Sequence, residues 1–455
     1  MTVTDDRFAK MKPFNAGHAP KIASRNLPPG PRWPSLVQSI ALMRFRHQFI
    51  PAMHKKYGDA FTIRVIPQAS PLVLFTRPEH TKQIFAGDPE TFHAGKGNAI
   101  LGPIMGEHSL LLQDSSEHRR ARKLLMPAFN GAALRGYESV VTALAEEEVS
   151  RWVPGRPFRS LDRMNALTLE VILRVVFGVT DETRLAELRP LVNRTVDINP
   201  AILLGWGYPF LQRFGPWKRT VDNQRALDKV MYAEIAERRR AGDLAERSDV
   251  LSRLLTVEDE DGEPGMSDQE LRDQLVTLLL AGHETTATAL SWSLYELGLD
   301  ESQMTRAREA AHIGDDNYLE AVLKEAMRLH PVIPMVVRHL MAPATIGDWN
   351  LPKGTNVGPS ILVAHSRESN YPDPDVFRPS RFLDGEVATN TWIPFGGGVR
   401  RCIGAGFSLM EGVAVLRQVL LGYDVHVPVG ATDRPRVRNI TSVPHKGARI
   451  VVHAR

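Results

Sequence analysis

The chain has 455 residues, 43% of them apolar and 24% charged, with 56 basic and 52 acidic side chains for a formal net charge of +4. That balance excludes a disordered or collagen-like chain and describes a globular protein long enough to bury a large core. No Gly/Ser linker or internal repeat divides it, so one domain over residues 27–455 is expected behind a polar N-terminal tail, residues 1–26.

In the tail, Asp5, Asp6, Arg7, Lys10 and Lys12 stand where a signal peptide needs its apolar stretch. Apolar runs such as Leu275 to Gly282 fall short of the roughly 20 residues of a membrane span, so a cytoplasmic chain without a membrane anchor is expected. Leu27-Pro-Pro-Gly-Pro-Arg-Trp33 is a proline-stiffened lead-in. Strand patterns follow at Ala60–Val65 and Leu72–Phe75 and return at Tyr423–Val427 and Arg449–His453. Between them the spacing is helical: Ala132–Trp152, Leu167–Phe177, Asn223–Arg240 and Asp249–Leu255. His118 and Arg122 open a cationic helix and lie four apart on one face, two donors that suit a carboxylate. No basic stretch is interleaved with aromatics, which excludes nucleic acid. The pI near 9.1 leaves a solvated arginine-rich surface or a docking face for an acidic partner.

Ser267-Asp-Gln-Glu270 is a capping box, and apolar periodicity then runs from Leu271 to Leu297, with Gly298 placed to end it. At about 1.5 Å per residue such a helix is roughly 40 Å long, so its middle must cross the core. There it carries Ala281-Gly282-His283-Glu284-Thr285-Thr286. Glycine costs about 1 kcal/mol against alanine in a helix, and a buried carboxylate costs more. The pattern points to a locally widened helix that admits a small ligand and delivers protons to it. His283-Glu284 begins a zinc-protease pattern, but Ala287 stands where its second histidine belongs, so zinc is excluded. Downstream, Glu325 and Arg328 share a helix face that Pro331 ends.

Cys402 is the one cysteine. Alone it builds neither an internal disulfide nor a four-cysteine zinc or iron-sulfur site. An inert thiol, a nucleophile and a single soft metal ligand remain. Gly396, Gly397 and Gly398 permit positive φ and close approach of a flat ligand. A helix expected from Ala405 to Leu421, with Arg400 and Arg401, favours a thiolate. Together these describe a thiolate held for a metal.

Phe395, Gly398, Arg400, Cys402 and Gly404 resemble the haem-binding signature of the cytochrome P-450 family, and the resemblance extends from about Leu27 to Val452. It implies a mainly α single-domain fold with small β-sheets and a long central helix crossing the haem. It makes Cys402 the metal ligand of haem b, with Phe395 and Gly404 in the cofactor loop. Gly282 then leaves room for O2, Glu284 is the carboxylate of a proton relay, and the Thr285 hydroxyl faces dioxygen. His118, Arg122, Arg338 and Arg400 become propionate partners, although many relatives carry tryptophan where His118 stands. Glu325, Arg328 and Arg381 form a buried structural network. Arg119, Arg120, Lys123 and Arg401 are left as a docking patch for a ferredoxin or flavodoxin. That partner and its reductase would carry electrons from NAD(P)H, since the chain has no flavin or nicotinamide fingerprint.

The activity so implied is a haem-thiolate monooxygenase, acting as a monomer. It inserts one oxygen atom from O2 into a C–H or C=C bond of a bulky lipophile: a steroid, terpenoid or fatty acid. Ile100, Leu101, Ile104, Met105, Ile202, Leu203, Leu204, Trp206, Met335 and Val336 are expected to line its pocket. The alternatives are a haem-thiolate peroxygenase or isomerase, a non-catalytic haem sensor, and a cysteine hydrolase. Peroxide users of the family typically replace the acid–threonine pair, which is intact here.

Overall fold

The computed structural model describes residues 27–66, 70–179, 181–196, 202, 209–258 and 265–455. The tail 1–26, and with it Leu203, Leu204 and Trp206 of the expected pocket, lie outside the described residues.

Ser267 starts the longest described helix. Its hydroxyl accepts the Glu270 amide, and the Glu270 carboxylate accepts the Ser267 amide at 2.8 Å, so the expected capping box forms and satisfies two orphaned donors. The central helix then runs from Asp268 to Leu299, buried on most of its surface. Gly298 does not end it. An added Cβ there would lie 3.1 Å from the Val427 nitrogen, whose amide donates to the Gly298 carbonyl at 3.0 Å. Gly298 is small because the C-terminal sheet packs on it; the helix ends at Asp300, whose side chain caps the next helix, Glu301–Ile313.

Polar residues near the start of the central helix hold the segment that leads to His118. Asp273 accepts the His108 amide at 3.1 Å, Gln274 accepts the Leu110 amide at 3.1 Å, and Thr277 meets Ser109 at 2.7 Å. Helices at Gly131–Ser150, Ser160–Val175, Gly215–Arg240 and Val250–Leu255 match the periodic stretches, several starting earlier than the apolar pattern does. The helix after Cys402 spans Ala405–Gly422. Among the described residues it alone is long and apolar enough to cross a membrane, which the apolar runs of the sequence did not bring out; over half of it is buried inside the fold.

The strands are β1 (Ala60–Val65), β2 (Ser70–Phe75), β3 (Phe92–His93), β4 (Phe158–Arg159), β5 (Arg338–Leu340), β6 (Ala344–Ile346), β7 (Trp349–Leu351), β8 (Asn356–Pro359), β9 (Tyr423–His426), β10 (Pro435–Arg438), β11 (Thr441–Pro444) and β12 (Arg449–Ala454). They pair as one five-stranded sheet in the order β1-β2-β8-β5-β3, a three-stranded sheet β4-β12-β9, and the two-stranded pairs β10-β11 and β6-β7. The expected mainly α fold with small sheets is therefore the observed one. Its main core surrounds the central helix; smaller apolar cores lie against the five-stranded sheet.

Candidate active site

Cys402 follows a loop folded back on itself, with its amide donating to the Phe395 carbonyl at 2.9 Å. Gly396 and Gly398 have φ of +65° and +64°, as the sequence required. The loop is also closely packed by protein on one side. A Cβ on Gly398 would lie 1.9 Å from the Phe85 carbonyl oxygen, and one on Gly397 2.2 Å from the Phe85 ring, so the loop is glycine-rich in order to seat on the Pro78–Phe85 helix. Gly404 sits where an added Cβ meets nothing.

Protein atoms enclose Cys402 on almost every side, yet its residue surface is open, so it lies on an interior cleft. Burial pushes its thiol pKa up, while the Gly404 amide, Arg122 and Arg401 pull the other way. The expected depression of the thiol by Arg400 and Arg401 is thus outweighed by desolvation. Arg400 is turned elsewhere: it donates to the Leu110 carbonyl at 3.1 Å, to the Gln113 carbonyl, and to Asp114 at 2.5 Å.

His118, Arg122, Arg338 and Arg400 do come together. His118 is buried, and burial plus the charges of Arg400, Arg122 and Arg338 lowers its pKa to about 3, so it is a neutral imidazole. Arg338 is lowered to about 10, by burial first and then by Arg400. Among the described residues the acid that offsets Arg338 and Arg400 is Asp114, whose carboxylate also accepts the amides of Gly95 and Lys96 at 2.8 and 3.0 Å. Sequence reading missed Asp114. Its position four residues before His118 was the available signal.

On the central helix, Ala281 is exposed and Leu280, Gly282 and Thr285 are half-buried, although most of that helix is buried, so this face is open. Thr285 donates to the Ala281 carbonyl at 2.7 Å. Thr286 Oγ1 lies 3.1 Å from Ser408 Oγ, which joins this stretch to the helix that follows Cys402. The expected local widening is not seen, for the helix is an uninterrupted α-helix. Gly282 also has a close neighbour: its added Cβ would lie 2.7 Å from Ile172 Cδ1 on the Ser160–Val175 helix. Glu284 is buried and pairs with Arg438, Nε to Oε1 at 3.1 Å, a partner the sequence gave no means of finding.

Glu325 bonds Arg328 at 2.7 and 2.9 Å and Arg381 at 3.1 Å, with all three side chains at most 1% exposed. Arg328 also donates to the carbonyls of His365, Pro374 and Val376, tying the segment before the cysteine loop to the core. In the expected docking patch, Arg119, Lys123 and Arg401 are exposed. Arg120 is committed to Glu270 at 2.5 Å and to the Gly265 carbonyl, so it braces the start of the central helix.

These residues fit a haem. A single soft donor lies on an interior cleft, beside a cation cluster that Asp114 offsets by one charge. An amphiphilic, carboxylate-bearing macrocycle with a metal centre matches that set.

The chain matches the family model described as Cytochrome P450 over residues 28–451. It is similar to cytochrome P450 135A1 of Mycobacterium tuberculosis, 55% identical over 93% of this chain and 94% of that one. Similarity extends to cytochrome P450 135B1 of Mycobacterium bovis, 39% identical over 95% and 92% of the two chains. Among solved structures it resembles the retinoic acid bound cyanobacterial CYP120A1, with a TM-score of 0.82 at 24% identity, covering 94% of this chain and 99% of that one.

Proposed function

Because the chain belongs to the cytochrome P450 family of haem monooxygenases, we propose that Cys402 holds the haem iron and that Glu284 and Thr285 serve the oxygen side. The observation that carries this reading is the lone thiol open to an interior cleft beside the His118–Arg122–Arg338–Arg400 cluster. Bound there, haem supplies the O2 activation by which one oxygen atom enters a C–H or C=C bond.

Cys402 serves as the thiolate. Burial alone raises its pKa, but coordination to a cation deprotonates a thiol outright, and the Gly404 amide with Arg122 and Arg401 then stabilises the anion. Arg122 and Arg338 anchor the haem carboxylates, with His118 as an N–H donor beside them. Arg400 orients this set through Asp114 rather than acting as a free cation. Phe395 fixes the loop through the Cys402 amide.

Thr285 moves a proton at its hydroxyl. A threonine in a helix divides between two χ1 rotamers, so the hydroxyl that now bonds the Ala281 carbonyl can turn to the cleft. Glu284 is the carboxylate that resupplies it. Gly282 contributes the close approach of the Ser160–Val175 helix, and through it the position of Glu284 and Thr285.

The substrate we assign is a bulky lipophile. Ile104 is buried and packs with Ile202 and Leu280 into an apolar cluster beside the central helix, which supports that class. Electrons come from NAD(P)H through a ferredoxin or flavodoxin and its reductase, which dock on Arg119, Lys123 and Arg401.

The test is the spectrum of the reduced carbon monoxide adduct. The wild-type chain should give the long-wavelength band of a thiolate-ligated haem, and Cys402→Ser should lose it; a protein that binds no haem would end the reading. Steroids, terpenoids and fatty acids then test the substrate class through the ferric low-spin to high-spin shift. No shift with any of them would reject that class.

A further inference from the structure

We infer that Arg438 is the positioning residue of Glu284, and that the tip of the β10–β11 hairpin is the element that sets its place. The inference rests on the reading of Glu284 as the proton-relay carboxylate.

Glu284 is 5% exposed, a carboxylate inside the fold, and the guanidinium 3.1 Å away is 28% exposed. One member of the pair is therefore dry and the other wet. A buried carboxylate needs a partner to be tolerated at all. Here that partner is not on the central helix, nor on an element fused to it in sequence. It is the last residue of β10, immediately before the turn at Asn439 and Ile440.

That turn is held from three sides. Arg46, 7% exposed on the Ser35–Tyr57 helix, donates to the Asn439 carbonyl at 2.7 Å and to the Ile440 carbonyl at 3.0 Å. The Asn439 side chain donates to the Val196 carbonyl at 3.3 Å, at the end of the Glu182–Val196 helix. Behind the turn, Ser442 donates its amide to the Val332 carbonyl at 2.8 Å and meets His47 Nε2 at 2.8 Å. Asn439 itself has φ of +54°, so the turn carries backbone strain that these bonds offset.

Two consequences follow from the arrangement. The first is that Glu284 is paired with a cation whose place is fixed by the Ser35–Tyr57 helix, the Glu182–Val196 helix and the 332 segment, all outside the central helix. The second is that the wet side of Arg438 places solvent next to a carboxylate otherwise shut off from it. The Glu284 carboxylate takes a proton from water on that side and passes it to the Thr285 hydroxyl.

The test is a double-mutant cycle on the haem-loaded protein with Arg438→Gln, Glu284→Gln and both, and Arg438→Lys as the conservative variant. A surrogate plant-type ferredoxin with its NADPH reductase supplies electrons. The readouts are the solvent deuterium isotope effect on NADPH consumption and the urea midpoint of each variant. Arg438→Gln should slow proton-dependent consumption on the order of tenfold and enlarge its isotope effect. Arg438→Lys should recover most of the rate. In a Glu284→Gln background Arg438→Gln should change neither consumption nor the urea midpoint. An equal effect of Arg438→Gln in both backgrounds, or a silent Arg438→Gln beside an impaired Glu284→Gln, overturns the inference alone. A silent Glu284→Gln overturns the relay reading first and the inference with it.

Discussion

Thr286 Oγ1 and Ser408 Oγ stand 3.1 Å apart, one residue beyond Thr285 on the central helix and six beyond Cys402 in sequence. Each hydroxyl belongs to a different helix, so the bond fixes the distance between the segment assigned to protons and the segment assigned to the metal.

Replacing Gly282 with alanine places a methyl 2.7 Å from Ile172 Cδ1, in a contact between two buried helices. Overpacking of this kind costs about 1–3 kcal/mol, the low end where only a side-chain tip must give way, and alanine's helix preference over glycine offsets about 1 kcal/mol of it. Gly282→Ala should lower the urea midpoint accordingly, and Ile172→Val, which removes the clashing carbon, should restore part of the loss in the double variant. A lone Gly282→Ala with unchanged stability and altered oxygen chemistry would instead support the expected role of the glycine, room for oxygen.

Thr285→Ala removes a hydroxyl whose present bond is to its own helix. Stability should change by less than about 1 kcal/mol, since an intrahelical back-bond of threonine adds little. Product formed per NADPH should nonetheless fall, on the order of tenfold or more, with peroxide released instead. Full coupling in this variant would remove Thr285 from the proton path.

Glu325→Gln leaves Arg328 and Arg381 buried with no carboxylate between them. Breaking one side of a buried network costs about 3–5 kcal/mol. Expression of haem-loaded protein should drop sharply, and far-UV circular dichroism of what remains should show an earlier thermal transition. The pairing is structural, so the position of the carbon monoxide band should not move in the surviving fraction.

His365 accepts the Ile393 amide at 2.9 Å and is wholly buried, with a pKa lowered to about 3 from 6.5 by burial first and by Arg328 next. The unfolded chain therefore binds this proton before the folded one does. Its contribution to stability is complete above about pH 6.5 and is lost as pH falls toward about 3. His365→Gln keeps an acceptor and cannot titrate, so the slope of unfolding free energy between pH 6 and 4 should fall by up to about 1.4 kcal/mol per pH unit. An unchanged slope would show that other histidines carry the acid limb.

Features written in a few neighbouring residues were legible. Ser267 and Glu270 cap each other within one turn, Glu325 and Arg328 share a face, and the loop before Cys402 carries its own glycines and arginines. What escaped was set by partners distant in sequence. Gly298 read as a helix stop and turned out to be a contact point for the C-terminal sheet, and the approach of Ile172 to Gly282 had no signal in the sequence. Asp114 on Arg400 and Arg438 on Glu284 are pairs between separate segments, and single-sequence spacing contains nothing that brings such segments together.

The Ser160 hydroxyl donates to the Ala448 carbonyl 288 residues later, and β12 runs antiparallel to β4 beside it. During synthesis, then, the start of the Ser160–Val175 helix, which carries Ile172 against Gly282, must wait for nearly the entire chain before its edge is closed. Contacts so far apart in sequence form late and slowly. The nascent chain would keep an open seam along this helix until its last strand emerges, which makes that strand a natural checkpoint for completed folding.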